Sequence, residues 1–85
     1  MPNGWNRLTP ISMARYKAHF SISYGATYGS FEGNNKKQLV KDVKDHCKAI
    51  STKEDGAYFS VENEEGHIID SQRMFKGTRK FVKVG

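Results

Sequence analysis

Two hydrophobic periods divide the chain. From Arg15 to Tyr24 apolar and polar residues alternate strictly, with Tyr16, Ala18, Phe20, Ile22 and Tyr24 on one side and Arg15, Lys17, His19, Ser21 and Ser23 on the other. A period of two over ten residues predicts a half-buried strand. Gly25-Ala26-Thr27 supplies a turn, and Tyr28 to Glu32 returns as a second strand that Gly29 shortens and loosens. Between Asn34 and Ile50 the period changes. Leu39, Val40, Val43, Cys47 and Ile50 recur at helical spacing, with Lys36 and His46 at the edges of the stripe. Asn35 suits an N-cap, and Gln38 three residues on completes a capping-box pattern.

Beyond the helix the period of two resumes. Ser51 to Gly56 reads as a polar turn. Ala57, Phe59 and Val61 then alternate with Tyr58, Ser60 and Glu62. Glu64-Glu65-Gly66 predicts a hairpin turn with Gly66 left-handed. A fourth strand spans His67 to Phe75. Its apolar pairs, Ile68-Ile69 and Met74-Phe75, share no single face, which predicts a bulge. Lys76 to Arg79 forms a turn, and Lys80 to Val84 a short last strand.

The order β-β-α-β-β, with a short fifth strand, places the chain in the α+β class. One amphipathic helix covers one face of an antiparallel sheet of four to five strands, giving a two-layer sandwich with the other face open. Residues 1–12 hold Pro2, Gly4 and Pro10 without an apolar period, and read as a flexible N-terminal arm before a single domain, 13–85. Trp5, Leu8 and Ile11 are the arm residues able to pin it to that domain.

Composition then narrows function. At 85 residues the core is thin, with little room for a deep enzyme cleft. A mean hydropathy of -0.72 and the lack of a long apolar run exclude a transmembrane helix, so no membrane partner is expected. The N-terminus has no apolar stretch of the secretory type. Cys47 is the single cysteine, on the apolar stripe, and reads as a small core residue; a lone thiol fits a reducing, cytoplasmic setting.

The net charge is +5, and it is segregated. Residues 54–70 contain Glu54, Asp55, Glu62, Glu64, Glu65 and Asp70 without one Lys or Arg, while basic residues dominate both flanks. On the helix, Lys37, Lys41, Lys44 and Lys48 fall within an arc of roughly 60°. Asp45 is spaced to pair with Lys41 and Lys48. Lys36 and Lys37 lie in the first turn, beside backbone N–H groups that favour an anion. A second cluster, Arg73, Lys76, Arg79, Lys80 and Lys83, gathers near the C-terminus. Arg15, Lys17 and His19 form a secondary group on the polar face of the first strand.

These cations, set among ten aromatics, make nucleic acid or an acidic protein surface the expected partner. No nucleophile elbow, P-loop or dinucleotide fingerprint is present, and no acid, histidine or cysteine spacing matches a metal site. The expectation is therefore a non-enzymatic binding protein without catalytic residues, metal or cofactor. An ordinary solvated lysine face is the plainer explanation of the helix pattern. The leading alternative is an accessory protein of the phage or mobile-element style, which modulates or inhibits a host protein through the open sheet face or edge. A homodimer through that face is a third expectation.

Overall fold

The computed structural model describes residues 14–23 and 25–84. The elements run β1 (Tyr16–Ile22), β2 (Thr27–Gly33), α1 (Lys36–Ile50), β3 (Ala57–Glu62), β4 (Ile68–Met74) and β5 (Phe81–Lys83). The strands form one antiparallel sheet in the order β2-β1-β3-β4-β5. The helix packs on β1, β2 and β3, which makes the two-layer α+β arrangement that the periods predict. The proposed arm, 1–12, and Tyr24 lie outside the described residues.

The core is the meeting of the two apolar periods. Ala18, Phe20 and Ile22 of β1 and Ala57, Phe59 and Val61 of β3 face Leu39, Val43 and Cys47 of α1, and Met74 of β4 joins them. Burying a chain of this kind is worth roughly 1.5–3 kcal/mol per large apolar side chain, so these few residues carry most of the stabilisation. Ile50, at the last turn, is 44% exposed and stands outside the core. His46 stays at the edge of the stripe, with its ring edge-on to Phe20 and Phe31 at 5.1 Å each.

The helix begins as its sequence implies. Asn35 Oδ1 accepts from Gln38 N at 3.0 Å. The reciprocal half of the capping box does not form, because Gln38 Nε2 donates forward to Asp42 at 2.8 Å. At the other end the C-cap Ser51 returns its hydroxyl to Cys47 O, and the C-cap backbone is extended. Gly66 is left-handed (φ 83), as the Glu64-Glu65-Gly66 turn requires.

One strand differs from expectation and one bears it out. Gly29 does not shorten β2, which pairs with β1 without a break from Thr27 to Gly33. A Cβ at Gly29 would lie 3.0 Å from Phe20 Cζ, so the missing side chain makes room for that ring. In β4 the bulge is present: Val61 pairs with Asp70 and Glu62 with Ile68, leaving Ile69 as the extra residue. The consequence is an inward face of Asp70, Gln72 and Met74, while Ile68 and Ile69 are exposed.

The inward Asp70 is satisfied locally. Its carboxylate, 4% exposed, accepts from Lys83 Nζ at 3.1 Å and from Gln72 Nε2 at 3.3 Å. Burial acts to raise its pKa, but the Lys83 and Gln72 hydrogen bonds and the charges of Lys83 and Lys36 outweigh it, and the carboxyl sits below its ordinary value. This ion pair ties β5 to the helix side of β4, where Phe81 also packs edge-on to Phe59 at 5.2 Å.

Candidate polyanion-binding site

The basic residues fall into three settings. On the outer face of α1, Lys41 donates to Asp45 at 2.9 Å, and that bond holds its ammonium above the usual range. Asp45 borders the arc of Lys37, Lys44 and Lys48, so this face carries both signs, while Asp42 lies further round and accepts from Gln38. Lys48 forms no ion pair with Asp45 among the described residues. Lys36 is half-buried, and its charge acts on the inward carboxylate of Asp70. The pair at the helix N-terminus therefore divides, with Lys37 exposed and Lys36 near a buried acid.

The second setting is the polar face of β1. Lys17 is 4.0 Å from Glu32, and His19 Nε2 is 3.4 Å from Glu62. Register explains both, since Glu32 of β2 stands opposite Lys17, and Glu62 of β3, also opposite Lys17, is the diagonal neighbour of His19. Arg15 is exposed, and its backbone N–H donates to Asn34 Oδ1 at 3.0 Å. This end of the open sheet face is thus balanced in charge rather than basic.

The third setting is the pole where the helix ends. Arg79, left-handed at φ 57, donates from Nη2 to Lys48 O at 2.7 Å and from Nη1 to Thr52 O at 2.9 Å and Ser51 Oγ at 3.1 Å. Its guanidinium takes the place of the missing amide donors at the helix C-terminus, with the favourable sign for the macrodipole. Gly77 N donates to Lys53 O at 2.7 Å and completes the clamp. Together these bonds bring the β4–β5 turn, with Lys76 and Lys80, against the end of α1, with Lys48 and Lys53. All four lysines are exposed, and none has an ion-pair partner among the described residues.

Of the C-terminal cluster, then, Arg79 and Lys83 are held in bonds within the chain, whereas Arg73, Lys76 and Lys80 face outward. Lys53 belongs to this pole and was not singled out by the sequence, where it is one polar residue in a turn. Only the contact between its carbonyl and Gly77 reveals its place.

Beside the pole, on the helix-free face, lies an open cleft of about 490 Å³. Ser21, Ser23, Glu54, Tyr58, Arg73, Phe75 and Lys76 contribute to its walls. Arg73 sits 5.7 Å from the centre of the Phe75 ring, which is 54% exposed. Ser23, left-handed at φ 51, anchors the far wall through its N–H to Gly56 O and its hydroxyl to Asp55. Hydrogen bonds from the Ser23 hydroxyl and the Thr52 N–H hold the Asp55 carboxyl below its ordinary value, so this carboxylate is already occupied. Glu54 is the exposed acid of the lining.

Nothing in this arrangement supplies an activated nucleophile. Cys47 is fully buried, and burial pushes its thiol up to about 11. Among the described residues no group of three or more His, Cys, Asp or Glu is placed to hold a metal ion. No helix among them is long and apolar enough to cross a membrane. Comparison with protein-family models, with curated proteins and with solved structures finds no match.

Proposed function

We propose that this protein is a non-enzymatic binding module that engages nucleic acid through its phosphate backbone, at the basic pole. The observation that carries the reading is the Arg79 clamp, which gathers Lys48, Lys53, Lys76 and Lys80 at one end of the molecule. Four exposed cations on a small surface attract a polyanion and lose it steeply as salt rises. The acidic residues Glu62, Glu64 and Glu65 lie at the β3–β4 turn, at the opposite end of the sheet, while Glu54 and Asp55 stand at the basic pole and are outnumbered there. In a mobility-shift assay at low salt, Lys76→Glu with Lys80→Glu abolishes retention of a generic oligonucleotide. Retention equal to wild type refutes the assignment to this pole.

A second reading rests on the β2 edge. Seven residues pair with β1 without a bulge and contain no Lys, Arg or Pro, the usual devices that block strand addition. Tyr28 on this edge is 79% exposed. Strand addition by a protein partner would suit an accessory protein that modulates a host protein. It requires that Ser30→Lys loses a nuclease-resistant partner that Lys76→Glu retains.

A further inference from the structure

We propose that the cleft beside the basic pole takes an unstacked base of a single-stranded nucleic acid. Tyr58 and Phe75 are its stacking surfaces, and Arg73 and Lys76 its phosphate contacts. The proposal rests on the nucleic-acid reading above and adds the strandedness of the ligand.

Size and composition support it. A volume of about 490 Å³ lies in the range of small-molecule sites, and is wide enough for one base with its sugar-phosphate at the rim. The lining combines two aromatic rings, two cations and the hydroxyl residues Ser21 and Ser23. Ring faces serve for stacking, hydroxyls pair with base edges, and cations answer phosphate. Arg73 is already drawn over the Phe75 ring, so the pair presents a planar cation and an aromatic as one preformed wall.

Register extends the site across the sheet. Tyr28 stands opposite Ser21, Ser21 opposite Tyr58, and Tyr58 opposite Arg73. Residues directly opposite share a face, so Tyr28, Tyr58 and Arg73 form one row on the open side. With strands about 4.8 Å apart, Tyr28 is about 10 Å from Tyr58 along that row, within reach of a neighbouring nucleotide. The acids of the open face, Glu32 and Glu62, lie at the other end, paired with Lys17 and His19. Glu54 in the lining and the Asp55 carboxylate behind Ser23 oppose an anion at the cleft, against Arg73 and Lys76.

These features select single strands. In a duplex the base faces are hidden in the stack, and an aromatic row on a sheet has nothing to stack on. An extended strand offers its base faces and its phosphates together.

The test is fluorescence anisotropy with a labelled 12-nucleotide single strand and a hairpin duplex of matched composition, in low salt. Wild type binds the single strand more tightly than the duplex. Phe75→Leu and Tyr58→Leu, which keep apolar bulk and lose the ring, weaken single-strand binding roughly 5- to 150-fold and leave duplex binding unchanged. Circular dichroism and thermal unfolding confirm that both variants are folded. Unchanged single-strand affinity in both variants, or a preference for duplex, overturns the proposal while the nucleic-acid reading stands. Failure of wild type to bind either oligonucleotide removes the nucleic-acid reading itself, and this proposal with it. Binding of polyglutamate as tight as the single strand, and insensitive to Phe75→Leu, overturns the proposal in favour of an acidic protein partner.

Discussion

Replacing Arg79 by alanine removes three hydrogen bonds from the helix C-terminus; Lys48 O is left to water, while Thr52 O keeps the Asp55 N–H and the Ser51 hydroxyl still donates to Cys47 O. A hydrogen bond involving a charged group contributes about 1.5–3 kcal/mol when buried. Arg79 is half-buried and two of its bonds are exposed, so water recovers much of the loss, and about 0.5–1 kcal/mol per bond is the fitting scale. The expected destabilisation is about 1.5–3 kcal/mol, or roughly 6–24 °C in Tm for a domain of this size. The left-handed backbone at residue 79 supplies an internal control. Glycine loses the same bonds but avoids a Cβ penalty of roughly 1–2 kcal/mol, so Arg79→Gly is milder than Arg79→Ala by about that amount. Urea unfolding of the three proteins gives both differences, and amide exchange at Gly77 reports whether the turn has come loose. A change below about 0.5 kcal/mol for Arg79→Ala, with Gly77 still protected, would refute the clamp.

Two further perturbations follow from buried groups. Because the Asp70 carboxyl sits below its ordinary value, its charged form stabilises the fold above about pH 4 and that contribution is lost as pH falls further. Asp70→Asn therefore flattens the acid limb of a stability–pH curve. Lys83→Ala at neutral pH costs about 1–3 kcal/mol by leaving the carboxylate without its cation. The double variant is less destabilised than Lys83→Ala alone, and the reverse order in urea unfolding would sink the pairing. Cys47 is enclosed, with its thiol pushed up to about 11, so it resists a thiol reagent at pH 8 in the native protein and reacts fully in denaturant. Rapid native labelling would contradict its place in the core.

How far the sequence foretells this molecule depends on the range of the contacts. The alternation of Tyr16 to Ile22 and of Ala57 to Glu62 is local, and both strands appear with the expected faces buried. Asn35 as N-cap and the Lys41–Asp45 pair are local too, and both are found. The inward Asp70 and Gln72 are not legible, because an acid and an amide on a core face make sense only once the bulge at Ile69 and the partner Lys83 are known. Arg79 reads from sequence as one more surface cation, and its left-handed backbone and distant carbonyl partners depend on topology. The cleft is assembled from residues between 21 and 76, on β1, β3, β4 and three connecting turns, so no stretch of chain announces it. The helix lysines are a local pattern as well, and Asp45 offsets Lys41 at the spacing that the sequence shows.

The measurement that bears most directly on the account is the salt dependence of single-strand binding. For wild type, log K against log salt should fall with a slope near -3.5, about 0.7 for each of five phosphates, four met at the pole and one by Arg73 at the cleft. Lys48→Ala, Lys53→Ala, Lys76→Ala and Lys80→Ala together should bring the slope to about -0.7, the share left to Arg73, while Lys37→Ala, Lys41→Ala and Lys44→Ala leave it nearly unchanged. An unchanged slope in the first variant, or its loss in the second, would contradict the assignment of the binding surface to the pole that Arg79 holds together.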